Sequence, residues 1–209
     1  MVVAVVVYAL LPSAVLFTNR LIIPGIEVLL LVALLVTNPR RMTRQTRWSR
    51  SASIALSMLL ILSNLVALGL LVSQLTGGES GGHLLVAAMQ IWLTNVIGFA
   101  LLYWELDRGG PVVRREAKRD DLPDADWRFS QDENDGAVIE VSRTSSTQSG
   151  WVPIFVDYLY LSVTNSSAFS PTDTMPLTSR AKMLMGLQAT AALLTTLVVV
   201  AFAVGSLGS

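Results

Sequence analysis

The residues of this chain best suited to chemistry lie between Ser166 and Asp173: Ser166, Ser167, Ala168, Phe169, Ser170, Pro171, Thr172 and Asp173. Four hydroxyls and one carboxylate in eight positions can replace part of the hydration shell of a cation, and a carboxylate repeated around an axis attracts cations. Phe169 and Pro171 supply the opposite chemistry, a hydrophobic constriction that closes by dewetting. A second set of polar residues interrupts apolar runs. Gln188 and Thr195 lie in the last run, where they either line a water path or serve close helix packing. Asn64 and Asn95 lie deep in two others, where hydrogen bonding between helices is the default reading. Glu27 is a carboxylate within an apolar run, a functional candidate by its position. Asp157 opens the apolar stretch before residue 166 and reads as a cap.

Much other chemistry is excluded. The chain has no cysteine and one histidine, so disulfides, thiolate sites, cysteine nucleophiles and multi-histidine metal sites are ruled out. No Gly-rich phosphate loop occurs, and no serine has a histidine partner. Asp132–Gly136 contains acids but lacks the alternating ligand spacing of a calcium loop. These observations predict a protein that is not an enzyme and carries no cofactor or metal. No basic stripe with interleaved aromatics points to nucleic acid.

The elements that must position these residues are membrane helices. Of the 209 residues, 52% are hydrophobic and 14% charged, against about 25% charged in soluble domains. Eleven of the fifteen acids fall between Glu105 and Glu140, and five of the fifteen bases between Arg40 and Arg50. The organisation predicted is an N-terminal helical hairpin and basic loop over 1–51, two transmembrane helices over 52–106, an acidic polar loop over 107–150, and a re-entrant segment with the last span over 151–209. The apolar runs are Val2–Phe17, Leu21–Val36, Ala52–Leu75, His83–Leu106 and Met183–Val204. The first lacks the basic start and small-residue cleavage site of a signal peptide. The acidic loop reads as loosely folded, with one short strand at Ala137–Val141. Trp151–Val163 reads as a half-helix that dips into the membrane, followed by a non-helical polar stretch that hydrocarbon cannot solvate. If 151–169 spans instead, the count becomes six.

The fold predicted is therefore an all-α polytopic membrane protein with about five transmembrane helices and one re-entrant half-helix. Loop basicity places the N-terminus and the acidic loop in the cytoplasm.

From Asp157 onward the sequence resembles the pore-loop domain of prokaryotic potassium channels. The matching residues are Tyr160, Ser162 and Val163, then a five-residue filter position, Asp173, Pro176, Thr178, Ala181 and Lys182. The resemblance implies a homotetramer, monovalent cations as the permeant species, and Ser166–Asp173 as the filter region. At the filter itself this chain departs from the family: Ala168–Thr172 stands where the family has Thr-Val-Gly-Tyr-Gly. Residues with a Cβ at both glycine positions, and Pro171 with its fixed φ, prevent the stacked ring of carbonyls. Potassium-type selectivity is thus not expected. A second set of strings, Tyr103–Pro111, Phe155–Tyr160 and Phe169–Thr178, is similar to a group of uncharacterised bacterial multi-pass inner-membrane proteins. The readings open at this point are a weakly selective cation pore, a non-conducting scaffold or partner-binding membrane protein, and a small-solute carrier using Glu27 and the broken helix.

Overall fold

The computed structural model describes residues 47–76, 82–133, 136–167 and 173–207. The first two apolar runs, Glu27 and the filter positions 168–172 lie outside the described residues. The chain forms helix α1 (Arg47–Thr76), α2 (Gly82–Leu106), α3 (Pro111–Glu116), strand β1 (Trp127–Arg128), short helices α4 (Ile139–Ser142) and α5 (Ser146–Ser149), α6 (Phe155–Ser167), strand β2 (Met175–Pro176) and α7 (Ser179–Leu207). Among the described residues, three stretches are long and apolar enough to cross a membrane: Trp48–Gln74, Leu84–Gly109 and Ser179–Val204. The latter two, at 26 residues each, are about 39 Å long at 1.5 Å per residue, enough for a hydrocarbon core of about 30 Å.

Helices α1 and α2 are neighbours because α2 carries Gly98 where they meet. A Cβ there would sit 3.2 Å from Ile61 Cγ1. Two apolar clusters stack along the bundle. One joins Ala67, Leu68 and Leu71 of α1, Leu84, Ala87, Ala88 and Ile91 of α2, and Ala191 and Val198 of α7. The other joins Ile61, Phe99, Leu102, Tyr103, Trp127, Phe129, Tyr158, Leu161, Ala181 and Met185.

The second cluster corrects the expectation of a loosely folded acidic loop. Trp127 and Phe129 are buried in it. Trp127 packs on Tyr103 at 4.7 Å between ring centroids, and Phe129 on Tyr158 at 5.4 Å. The connection between α2 and α6 is therefore a folded cap on one end of the bundle. Its two aromatics bury enough apolar surface to order a chain otherwise rich in charge. β1 and β2 pair antiparallel, Trp127 with Pro176 and Arg128 with Met175, which ties the cap to the entry of α7.

Three boundaries differ from expectation. Ile139–Ser142 is a helical turn rather than a strand, since so short a run holds as a strand only when another strand receives it. Helix α6 begins at Phe155, not Trp151, because Pro153 precedes it and Asp157 Oδ2 accepts the Ile154 N–H at 2.7 Å. It also continues through Ser167, so Ser166 and Ser167 are helical. The described part of α1 already includes Arg47–Ser51, ahead of its apolar run, and arginine is a good helix former.

Candidate functional site

α2 ends in a left-handed stretch at Arg108, Gly109 and Gly110 (φ 47°, 82° and 97°). The turn leaves carbonyls at the helix end that the cap must satisfy. Arg114, itself buried, donates to Asp107 O at 2.5 Å and Trp104 O at 2.8 Å. Burial lowers its pKa, offset in part by Tyr158 and Asp107. The Asp107 carboxylate accepts the Asp126 N–H at 2.7 Å and the Tyr158 hydroxyl at 2.6 Å. Burial pushes the Tyr158 phenol far above its ordinary range, and Asp107 adds to the shift. Asp126, fully buried, accepts from Thr178 Oγ1 at 2.6 Å and from Arg180 through Nε at 2.7 Å and Nη2 at 2.5 Å. Thr178 in turn accepts the Ala181 N–H and so caps α7. The ends of α2, α6 and α7 are thereby locked together under the cap.

From this end α6 descends along α2 and α7. Tyr158 bonds Asp107, and Ser162 Oγ donates to Val96 O at 2.7 Å. Asp107, just past the end of α2, and Val96 are eleven residues apart, about 16 Å at the helical rise. The described residues of α6 reach Ser167, short of the far end of α2. The next described residue, Asp173, takes a hydrogen bond from the Tyr160 hydroxyl. Tyr160 stands seven residues before Ser167, about 10 Å closer to the cap along α6. Beyond the tip of α6, α2 and α7 leave an apolar groove of about 630 Å³ lined by Met89, Trp92, Leu93, Thr195, Thr196 and Val199 among others.

Gln188 holds the tip. It is fully buried. Its Oε1 accepts from Tyr103 Oη at 2.7 Å and Asn165 Nδ2 at 2.9 Å. Its Nε2 faces Ser162 O and Oγ at 3.1 and 2.5 Å and Ser166 Oγ at 2.9 Å. Asn165 Nδ2 also reaches Met185 O at 3.0 Å. Asn95 Nδ2 lies 3.4 Å from Gln188 O.

Of the residues singled out in the sequence, Ser166, Gln188 and Asn95 are brought together here, and Asn64 lies buried on α1 at the same level. Thr195 is buried, its hydroxyl returned to Ala191 O at 2.8 Å. Ser167 is exposed and bonds Val163 O at 2.7 Å. Asp173 is exposed at the level of Tyr160. Asn165 was not singled out, and Ser162 and Tyr103 entered only through the family resemblances, although Ser162, Asn165 and Ser166 form a polar stripe at the i, i+3, i+4 spacing of one helix face. Asp126 and Arg180 were also missed, and no local pattern marks them.

The fold and site define a helical membrane protein with a capped bundle and a further helix, α6, tethered within it. No protein-family model, curated protein or solved structure matches the chain.

Proposed function

We propose that this chain is a channel-like integral membrane protein, with α6 as a re-entrant half-helix whose tip delivers residues 166–173 to a weakly selective cation path. The observation that carries the reading is the course of α6. It enters beside the α2 terminus, runs partway down the bundle to Ser167, and Asp173 bonds back to its Tyr160. Three features support cations over anions. The C-terminal end of a helix carries a partial negative charge, and α6 points that end inward with no basic residue in its last turn. Serines 166 and 167 stand at the tip, and Asp173 adds a carboxylate near the mouth. The outward face of α6, with Val156, Tyr160 and Val163 exposed, is the face available to other copies, and a path of this kind needs several copies around an axis. The lipid bilayer is the surrounding partner, and the arginine-rich side of the bacterial inner membrane is its cytoplasmic face.

The test is cation flux in liposomes containing the purified full chain, with potassium and sodium gradients. Wild-type vesicles are expected to conduct both ions, and Asp173→Asn vesicles to conduct less. Inert wild-type vesicles holding folded oligomers would overturn the reading in favour of a non-conducting scaffold, which the complete hydrogen bonding of Gln188 within one protomer favours.

A further inference from the structure

Between the two apolar clusters lies a polar layer. Asn64 sits between Ile61 and Ala67 on α1, Thr94 and Asn95 between Ile91 and Phe99 on α2, and Gln188 between Met185 and Ala191 on α7. All four are 2% exposed or less. The α6–α7 half of the layer is closed by the Gln188 bonds described above. The α1–α2 half is open: Asn64 Oδ1, Asn95 Oδ1 and Thr94 Oγ1 are buried and have no hydrogen-bond partner among the described residues.

Two further observations point to a shared partner for these three oxygens. The close approach of Gly98 to Ile61 sets the register of α1 against α2. Three residues onward on α1 is Asn64; three and four residues back on antiparallel α2 are Asn95 and Thr94. Thr94 also breaks a rule kept elsewhere in the bundle. Ser57, Ser63, Thr195 and Thr196 each return their hydroxyl to a carbonyl of the preceding turn of their own helix. Thr94 does not, so its hydroxyl is held for another partner.

We propose that this junction binds one internal water molecule, which donates to Asn64 Oδ1 and Asn95 Oδ1 and accepts from the Thr94 hydroxyl. The stoichiometry fits: two acceptors take the two water protons, and the one remaining donor meets an oxygen lone pair. Buried waters make about three such bonds. A cation fits poorly, because none of the four residues of the layer carries a charge to compensate it. The water makes α1 part of the same polar network as the tip of α6, through Asn95 and Gln188, and it does so whether or not the chain conducts.

The experiment is a high-resolution structure of the full chain from lipidic crystals grown in rubidium chloride, alongside a mutant cycle. Expected is a density peak about 2.5–3.0 Å from all three oxygens with no rubidium anomalous signal. An anomalous peak there makes the ligand a cation and overturns the proposal, as does direct pairing of the three oxygens with protein groups. In the cycle, Asn64→Leu and Thr94→Val are each expected to raise the unfolding equilibrium constant about tenfold, and the double variant by about the same tenfold rather than a hundredfold, since both remove one shared bridge. Multiplicative effects would overturn the proposal independently of the crystals.

Discussion

Replacing Gln188 with leucine removes the hub that holds the α6 tip, and the cost follows from which groups lose their partners. Tyr103 Oη has Gln188 Oε1 as its acceptor. Asn165 Nδ2 loses the same oxygen but keeps Met185 O. Ser162 Oγ keeps Val96 O, and Ser166 Oγ loses a donor. One buried donor is therefore orphaned outright and one is half-satisfied. Each unsatisfied buried group costs about 1–3 kcal/mol, while hydrogen bonds between membrane helices average about 0.6 kcal/mol. Leucine recovers part of the apolar packing. The expected loss is about 2–4 kcal/mol, read from denaturant unfolding of the full chain in detergent by tryptophan fluorescence. Adding Tyr103→Phe deletes the orphaned donor, and the double variant is expected to regain about 1 kcal/mol or more over Gln188→Leu, because removing both partners is far cheaper than removing one. Thr195→Val provides the control: seven residues on along the same buried face, its hydroxyl bonds only its own helix, so a change within about 0.5 kcal/mol is expected. If Gln188→Leu were no more costly than Thr195→Val, the network would not hold α6 in place.

Three more outcomes follow. Asp126→Ala strips Thr178 and Arg180 of their shared acceptor. A loss of about 1–3 kcal/mol is expected, moderated because the Arg180 side chain is 55% exposed, with faster proteolysis around residues 173–178. Gly109→Ala forces a side chain onto a residue at φ 82° with Val113 Cγ1 only 3.0 Å from the new Cβ, and a melting experiment should show about 1–3 kcal/mol of destabilisation. Tyr158 has its folded pKa raised by burial, so its contribution is intact below the unfolded value of about 10 and is lost as pH climbs above it. Wild-type stability should fall above about pH 10 more steeply than that of Tyr158→Phe, and parallel curves would remove Tyr158 from the alkaline transition.

The long apolar helices were legible because composition alone specifies them. His83–Leu106 became Gly82–Leu106, and Met183–Val204 became Ser179–Leu207. Helix α6 was legible as a short apolar stretch ahead of polar residues, though its start was displaced by four residues because Pro153 and Asp157 set it rather than hydrophobicity. The cap was not legible. Its order rests on Trp127 and Phe129 meeting aromatics of α2 and α6, and on Asp126 meeting Thr178 and Arg180, which lie 52 and 54 residues away. Pairings at that separation leave no periodic trace. Gln188 was legible as a polar residue in an apolar helix, yet its role depends on the Ser162–Asn165–Ser166 stripe of α6, which the eye passes over in a sequence already rich in serine.

The measurement that bears most directly on a re-entrant α6 is the depth of its two ends in a bilayer. The chain has no cysteine, so Val156→Cys and Ser167→Cys each give a single spin-labelling site in nanodiscs. Accessibility to oxygen against a water-soluble nickel complex reports the depth of each label. The label at 156 is expected near the headgroups, and the label at 167 about 16 Å farther along the helix, near mid-depth. Two labels equally open to the aqueous nickel complex would place α6 outside the membrane and contradict the account.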